Sequence, residues 1–342
     1  MERYVKYILE QVEELLKIDS PSGFTGKVSD YLMKELQSMG YHPELTVKGG
    51  VIVSLGGKEN ALLFAAHVDT LGAVTAEIKE NGRLRISPVG GLNANNVEAE
   101  NCRIYTKEDQ CYEGTCQLEN AAIHVNTKYD EIRRSFDTVE IVLDEPVKTK
   151  EDVRALGIEN GDYVCFDPKT RITPSGYIKS RFLDDKLSAA ILLGFAKYVK
   201  EENIELSRKI YLYNTVYEEV GHGASSSIPP DVKETISVDM GCVGTGLACT
   251  EREVSICAKD SGGPYDSEIV RRLVKTAKKA DISYAVDVYP AYGSDVEASL
   301  RAGYDMRHGL IGPGVYASHG YERSHVDGVK NTFRLITEYI KQ

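Results

Sequence analysis

The chain has 342 residues, of which 42% are hydrophobic and 27% are charged, and this ordinary composition excludes a disordered or fibrous protein. The 52 acidic residues outnumber the 41 Lys and Arg residues, and the net charge of −11 argues against nucleic acid or an anionic membrane as a partner. At about 150 residues per domain, the length predicts roughly two domains.

The sequence shows no targeting or membrane-spanning segment. The N-terminal stretch lacks the apolar core of a signal peptide, and no apolar run reaches the ~18 residues of a membrane span. The seven cysteines form no CxxC pair and are interpreted as reduced thiols. We therefore expect a cytoplasmic protein without a cysteine zinc site.

The N-terminal part of the chain predicts helices followed by strands. Residues 4–16 and 27–39 carry apolar side chains at helical spacing. Residues 51–55 and 61–66 predict strands. The second of these is a continuous apolar run, typical of a strand buried on both faces of an α/β sheet, and it ends on His67-Val68-Asp69.

The middle of the chain, residues 71–178, has a different character. Short alternating segments and turn signals predict β structure, with little helix beyond a short turn at 151–156. The predicted strands are 76–79 and 83–86, which form a hairpin around Asn81-Gly82, then 139–143 and 163–166. We interpret this region as an inserted small β domain, PDZ-like or barrel-like.

Alternation of helices and strands returns in the last part of the chain. The predicted helices are 187–199, 267–280, 295–302 and 326–340, and the predicted strands are 209–216, 235–240 and 283–288. Such alternation favours a mostly parallel sheet with helices on both faces. Residues 1–70 and 179–342 are thus predicted to form an α/β catalytic domain of the phosphorylase/hydrolase-like kind.

Residue types that bind metals recur at the carboxyl ends of the predicted strands or in the loops beyond them. They are His67 with Asp69, Asp184 with Asp185, Glu218 with Glu219, Asp239, and His319 or His325. Ligands of open α/β sheets bind outside those strand ends. Each group alone is a weak signal, and their common location carries the argument.

Two of these groups are adjacent acidic pairs. The carboxylates of Glu218 and Glu219 repel each other unless a positive charge holds them, so one could bind a metal while the other acts as general base. A solvated pair is the alternative. Asp184 and Asp185 open a predicted helix, where capping explains one aspartate but does not require two.

The other groups are a histidine with a nearby aspartate, and a lone aspartate. His67 and Asp69 lie two positions apart in an extended segment and point to the same side, so Asp69 could orient His67 as a ligand. A hydrogen-bonded histidine at a strand end is the simpler interpretation of this motif alone. Asp239 lies in an otherwise apolar strand and needs a partner or a metal.

In chain order, these motifs resemble the tetrahedral-aminopeptidase family of metallopeptidases. That family includes glutamyl and deblocking aminopeptidases, and its members have often been labelled endoglucanases. The matching segments are Ala66-His67-Val68-Asp69-Thr70, Leu183-Asp184-Asp185-Lys186, Glu218-Glu219-Val220-Gly221, Val238-Asp239 and Gly293-Ser294-Asp295.

The resemblance implies a centre of two divalent metal ions in each subunit. Asp184 would bridge the two ions, His67 and Asp239 would complete one site, and Glu219 with a C-terminal histidine would complete the other. Zinc is the metal we expect, with cobalt or manganese as alternatives, because mixed carboxylate and imidazole ligands suit all three.

The resemblance also implies that Glu218 is the general base and that Asp69 orients the first histidine. The family usually has its C-terminal histidine four residues before a glutamate, whereas His319 lies three residues before Glu322. We choose His319, because His325 falls where the last helix should begin. His325 is the alternative, since either imidazole is a plausible ligand.

The reaction implied is the release of N-terminal residues from peptides with a free N-terminus. The same centre would also suit a metal-dependent deacylase or amidohydrolase of small amino-acid derivatives. Paired carboxylates would suit a glycosidase, but the chain has no Trp to stack on a sugar. Because the family forms large assemblies, often dodecamers, the resemblance also implies a homo-oligomer.

Overall fold

The structure is a computed structural model and describes residues 1–341. Seven α-helices are found in this range. They are α1 (Glu2–Leu16), α2 (Gly26–Ser38), α3 (Lys150–Ala155), α4 (Leu183–Glu201), α5 (Ser267–Lys279), α6 (Asp295–Arg301) and α7 (Val326–Tyr339). None of the helices within these residues is long and apolar enough to cross a membrane.

Eighteen strands lie in the same described part of the chain. They are β1 (Glu44–Leu45), β2 (Val51–Gly56), β3 (Ala61–His67), β4 (Gly72–Ile78), β5 (Leu84–Val89), β6 (Asn101–Tyr105), β7 (Cys111–Leu118), β8 (Val139–Leu143), β9 (Tyr163–Phe166), β10 (Arg171–Ile172), β11 (Tyr177–Ser180), β12 (Ile210–Thr215), β13 (Val232–Val238), β14 (Gly241–Val243), β15 (Val254–Lys259), β16 (Tyr284–Val288), β17 (Arg307–Tyr316) and β18 (Glu322–His325).

The chain forms two compact units, residues 1–69 with residues from 169 onward, and residues 70–168. The second boundary lies ten residues before the position 178 that we expected. The reason is the hairpin of β10 and β11, which belongs to the first unit because β11 pairs with β18 along residues 177–180.

The first unit contains a 12-stranded sheet in the order β1-β2-β12-β3-β13-β17-β18-β11-β10, with β14 and β15 paired to β17 and β16 paired to β15. The central neighbours β12, β3, β13 and β17 are parallel, whereas the strands at both edges of this order are antiparallel. The predicted mostly parallel α/β sheet is therefore confirmed.

Strand β3 lies at the centre of the sheet and is buried along its whole length. Leu62 and Phe64 pack into the large core cluster with residues of α1, α4 and α7, whereas Leu63 and Ala65 pack into a second cluster on the opposite face. Because strand side chains alternate between faces, a strand covered on both faces must be apolar throughout.

Helices lie on both faces of the sheet, as predicted. On one face α4 packs against α1, and a Cβ at Gly194 would lie 2.3 Å from Cγ1 of Ile8, so the glycine permits this close approach. On the other face, Val296 of α6 packs against Leu310 of β17. The next residue of β17, Ile311, points to the opposite face and joins the large core cluster.

The second unit is a closed antiparallel barrel in the order β4-β5-β8-β7-β6-β9. The expected inserted β domain is thus barrel-like rather than PDZ-like. Strands β6 and β7 were not predicted, because β7 buries every second residue only in its second half and is polar elsewhere. A capping box between Thr149 and Asp152 starts the short helix α3.

Candidate metal centre

Three adjacent parallel strands, β12, β3 and β13, end at one edge of the sheet. His67 is the last residue of β3, and Asp239 directly follows β13. Glu218 begins a single 3₁₀ turn, Glu218–Val220, just beyond the end of β12. The parallel register therefore gathers side chains that are far apart in sequence, as expected from their positions.

Asp184 and Asp185 lie at the N-terminal end of α4, but their backbone is not helical. Asp184 has φ −77° and ψ 98°, and the peptide bond between the two residues is cis. The regular helix starts beyond them. Asp184 therefore does not occupy a first helical turn, and both carboxylates are brought to the sheet edge near His67.

The imidazole of His67 is 1% exposed and has both ring nitrogens engaged. Nδ1 donates to the carbonyl oxygen of Asp69 at 2.9 Å, and Nε2 lies 3.1 Å from Oδ1 of Asp184. Metal-bound histidines usually donate their second ring N–H to a carbonyl or carboxylate in this way. Nε2 is thereby left facing the carboxylates of Asp184 and Glu218.

The carboxylate of Asp69 is fully buried and supports the acidic turn rather than the imidazole. Oδ1 accepts a hydrogen bond from the backbone N–H of Glu218 at 3.1 Å, and Oδ2 accepts one from that of Glu219 at 3.3 Å. Ser22 also donates to it. Oδ1 is 3.6 Å from Nδ1 of His67, so Asp69 contacts that ring mainly through its backbone carbonyl.

His319 approaches the cluster from the loop before β18. Its Nε2 lies 3.5 Å from Oε2 of Glu219 and 3.6 Å from Oδ2 of Asp184. The ring is 40% exposed, unlike that of His67. The structure thus brings together the residues expected for the second metal position.

His325 lies away from these carboxylates and caps helix α7. Its Nδ1 accepts the backbone N–H of Asp327 at 3.0 Å, and its Nε2 donates to the carbonyl oxygen of Ser175 at 2.9 Å. The ring also packs edge-on against Tyr177. With both nitrogens bound to the backbone, His325 has a structural environment and not that of a ligand.

Among residues 1–341, two groups of ligand atoms lie close enough to hold an ion, with all atoms of a group within 4.8 Å of one another. One group is His67, Asp184 and Glu219, and the other is His67, Asp185 and Asp239. Asp185 was not among the predicted ligands. Its Oδ2 accepts from the backbone N–H of His67, and its buried Oδ1 has no hydrogen-bond partner among the described residues.

Glu322 links two of the predicted ligands and was noted in the sequence only for its spacing. The side chain is 2% exposed. Oε2 accepts the backbone N–H of Asp184 and Oε1 accepts that of His319, each at 3.1 Å. The carboxyl group thereby fixes the main chain at both residues.

The electrostatics of the cluster reflect an excess of acid. Burial and neighbouring carboxylates raise the pKa of Glu219 well above its ordinary value, and burial with the charge of Asp184 raises the pKa of Asp239 to about 7. Burial opposes a charged His67, yet its hydrogen bond to Asp184 and the surrounding acids raise its pKa well above normal. The residues present therefore suit positive ions.

Asp295 is a further buried carboxylate at this edge. Its Oδ1 accepts the backbone N–H of Ala224 at 2.7 Å, and Oδ2 accepts the hydroxyl of Thr215. A Cβ at Gly223 would lie 2.0 Å from Oδ1, so glycine is needed there. Asp295 thus anchors the loop after the acidic turn.

A cavity of about 750 Å³ opens over the cluster. Its lining includes Asp184, Glu218, Glu219, Asp239, Asp295 and His319 from this edge of the sheet, together with Met240, Cys242, Ser261, Gly262, Tyr292, Glu297 and Arg301. The cavity is large enough for an amino-acid side chain and the adjoining peptide bond. The acidic groups therefore face a space that a small substrate can enter.

The sequence is similar to those of a putative aminopeptidase and of a glutamyl aminopeptidase. A family model of the M42 glutamyl aminopeptidases matches residues 49–335. YhfE of Bacillus subtilis (strain 168) is 42% identical over 339 residues, which cover 98% of each chain. Glutamyl aminopeptidase of Lactococcus lactis subsp. cremoris (strain MG1363) is 27% identical over 257 residues, covering 70% of this chain and 71% of that one.

The fold is also shared with solved structures. The TET1 peptidase of Pyrococcus horikoshii, described as assembling into a tetrahedron or a large octahedral shell, has a TM-score of 0.85 at 21% identity. The match covers 97% of this chain and 98% of that one. The resemblance inferred from the sequence motifs is thus confirmed, and the chain belongs to the M42 glutamyl aminopeptidase family of hydrolases.

Proposed function

We propose that the chain is a metal-dependent aminopeptidase that removes N-terminal residues from peptides by means of two divalent metal ions. The observation that supports this most directly is the acidic cluster at the sheet edge. There, buried carboxylates surround Nε2 of His67 on the floor of an open cavity. Buried carboxylates in such number need positive partners, and a metal pair would supply them.

His67, Asp184 and Asp239 would hold one ion, and Asp184, Glu219 and His319 would hold the other. Zinc fits this donor set best, with cobalt or manganese as alternatives. Bound divalent ions would polarise the scissile carbonyl and lower the pKa of the attacking water. Nδ1 of His67, which donates to the carbonyl of Asp69, keeps the imidazole in the orientation that a ligand requires.

Glu218 would be the general base. Its Oε2 lies 3.8 Å from Nε2 of His67, and its side chain lines the cavity. Burial raises its pKa well above the ordinary value, as suits a group that must take up a proton. Glu218 would accept the proton of the attacking water and return it to the leaving amine, while Asp69 holds its backbone.

The test is Glu218→Gln, assayed on aminoacyl-p-nitroanilides and short peptides after metal analysis. We expect kcat to fall by roughly 10²- to 10⁴-fold with an unchanged metal content. Glu205→Gln, at an exposed position of the same unit, is the matched control and should behave as wild type. Near-normal hydrolysis by Glu218→Gln would reject the base.

The same preparation separates the aminopeptidase from a deacylase. Dialysis against a chelator should abolish release of N-terminal residues, and returning zinc should restore it. A metal-loaded protein that releases no N-terminal residue but hydrolyses acylated amino acids would support the deacylase instead.

We further propose that the chain works as a homo-oligomer in the cytoplasm. The Pyrococcus horikoshii relative forms large closed assemblies, and a dodecamer of this 37.8 kDa chain would have a mass of about 450 kDa. All seven cysteines are free thiols, which suits a reducing compartment. Light scattering on the purified protein gives the mass directly.

A further inference from the structure

Two further ionisable residues, Glu297 and Arg301, line the cavity outside the acidic cluster at the sheet edge. Both belong to helix α6. The neighbouring walls are uncharged and include Met240, Cys242 and Tyr292, whose hydroxyl donates to the carbonyl of Met240 at 3.0 Å. A side chain entering the cavity would therefore meet a partly apolar lining that carries these two ionisable groups.

Glu297 is held firmly in the cavity wall. The residue is only 9% exposed, and a Cβ at Gly262 would lie 1.8 Å from its Oε1, so the carboxyl group lies directly against that glycine. It is also hydrogen-bonded to Asp260, which accepts the hydroxyl of Tyr265 at 2.6 Å and the backbone N–H of Gly262 at 2.9 Å. The carboxyl group of Glu297 is thus fixed in position.

The side chain of Arg301 is more exposed than that of Glu297 and is held less firmly. Its side chain is 64% exposed, and its guanidinium reaches Oε2 of Glu297 only at 3.7 Å. An exposed charge at this distance is screened by water and contributes little. The ionisable group that is fixed in this part of the cavity is therefore the carboxyl group of Glu297.

We propose that this part of the cavity receives the side chain of the substrate's N-terminal residue, and that Glu297 selects cationic side chains, those of lysine and arginine. The inference rests on the proposed aminopeptidase function. A lysine or arginine side chain has an apolar stem that suits the walls and a charged end that pairs with the buried carboxylate. A glutamate side chain would instead place a like charge against Glu297 and Asp260.

The preference should depend on pH. Burial and the hydrogen bond with Asp260 raise the pKa of Glu297 to about 8, against the weaker opposing influence of Arg301. In the empty cavity Glu297 is therefore largely protonated at pH 7 and ionised at pH 9. A lysine side chain stays charged over this range, because its ordinary pKa is about 10.4. The ratio of kcat/KM for lysyl over leucyl substrates should thus rise from pH 7 to pH 9.

The experiment measures kcat/KM for lysyl-, arginyl-, leucyl- and glutamyl-p-nitroanilide with the zinc-loaded wild type, Glu297→Gln and Arg301→Gln. We expect the wild type to favour the two basic substrates. Glu297→Gln should lower the lysyl-to-leucyl ratio by roughly tenfold to a hundredfold and flatten its pH dependence. Arg301→Gln should keep or increase that ratio.

Several outcomes would overturn the inference. They are a wild type that prefers leucyl or glutamyl substrates, a wild-type lysyl-to-leucyl ratio that does not rise with pH, and a Glu297→Gln variant that loses all substrates equally. If Glu297→Gln does not fold, the substrate preference of the wild type and its pH dependence still test the role of Glu297. If no substrate is cleaved at all, the proposed aminopeptidase function itself fails, whereas cleavage without a basic preference overturns only the role of Glu297.

Discussion

Replacing Glu322 by glutamine tests whether the main chain at the two proposed metal positions is held by one carboxyl group. The wild-type side chain accepts the N–H groups of Asp184 and His319, one on each oxygen. Glutamine has nearly the same shape but offers only one oxygen. Its NH₂ group would face a backbone N–H, so that one hydrogen bond is lost and two donors are brought together.

The expected magnitude follows from these two contacts. A hydrogen bond of this kind contributes about 0.5–1.5 kcal/mol, and loss of a partner that orients a metal ligand typically weakens metal binding by about 10- to 100-fold. The effect should fall mainly on the proposed ion of Asp184, Glu219 and His319, because Glu322 holds the main chain at two of these three residues. The other proposed ion should be less affected, because Glu322 holds only Asp184 among its ligands and His67 is oriented by Asp69.

The assay is titration of zinc into the metal-free protein, by calorimetry or by competition with a chromophoric chelator. Glu234→Gln is the matched control, since Glu234 is also buried, at 5% exposure, but pairs with Arg208 and Arg272 near the start of β13. The control should lose stability and keep its zinc affinities. Two unchanged zinc affinities in Glu322→Gln, or an equal loss in both variants, would refute the reasoning.

Two further predictions concern single side chains. His319→Ala should lose one zinc ion per subunit in metal analysis, whereas His325→Ala should keep both and lose about 0.5–2 kcal/mol of unfolding free energy with its helix cap; the reverse pattern would favour His325 as the ligand. Folding raises the pKa of Glu297 from 4.5 to about 8. As the pH rises, the unfolded chain therefore releases this proton before the folded chain does, and the stability that protonated Glu297 contributes is lost between pH 4.5 and pH 8. Denaturant unfolding in chelator should therefore show a smaller fall in stability between pH 5 and 8 for Glu297→Gln than for wild type, and equal falls would contradict this.

The parts of the fold that were predicted correctly are those with an unambiguous pattern of burial. Strand β3 is apolar at almost every position because both of its faces are covered, and this makes it recognisable. Strand β17 is equally central but was missed, because Gly309, Gly312, Pro313 and Gly314 interrupt its apolar pattern. A Cβ at Gly312 would lie 1.7 Å from the carbonyl oxygen of Asp239, so packing beside the site requires the residue that obscures the strand.

The candidate site was predictable as a set of residue types but not as a set of contacts. Strand ends and the family's motifs indicated the groups that the fold brings together. The roles of Asp69 and Glu322 depend on backbone N–H groups, which carry no sequence signal, and neither was foreseen in that form. The environment of His325 likewise depends on the carbonyl of Ser175, 150 residues away in sequence.

The adjacent acids Glu218 and Glu219 show how such backbone contacts can divide two roles. Both N–H groups are held by the carboxylate of Asp69, so the turn fixes the directions in which the two side chains leave the main chain. Oε2 of Glu219 lies 3.5 Å from Nε2 of His319, whereas Oε2 of Glu218 lies 3.8 Å from Nε2 of His67. If Asp69 sets this division, then Asp69→Asn, which can accept only one of the two N–H groups well, should disturb the proposed base Glu218 and the proposed ligand Glu219 together.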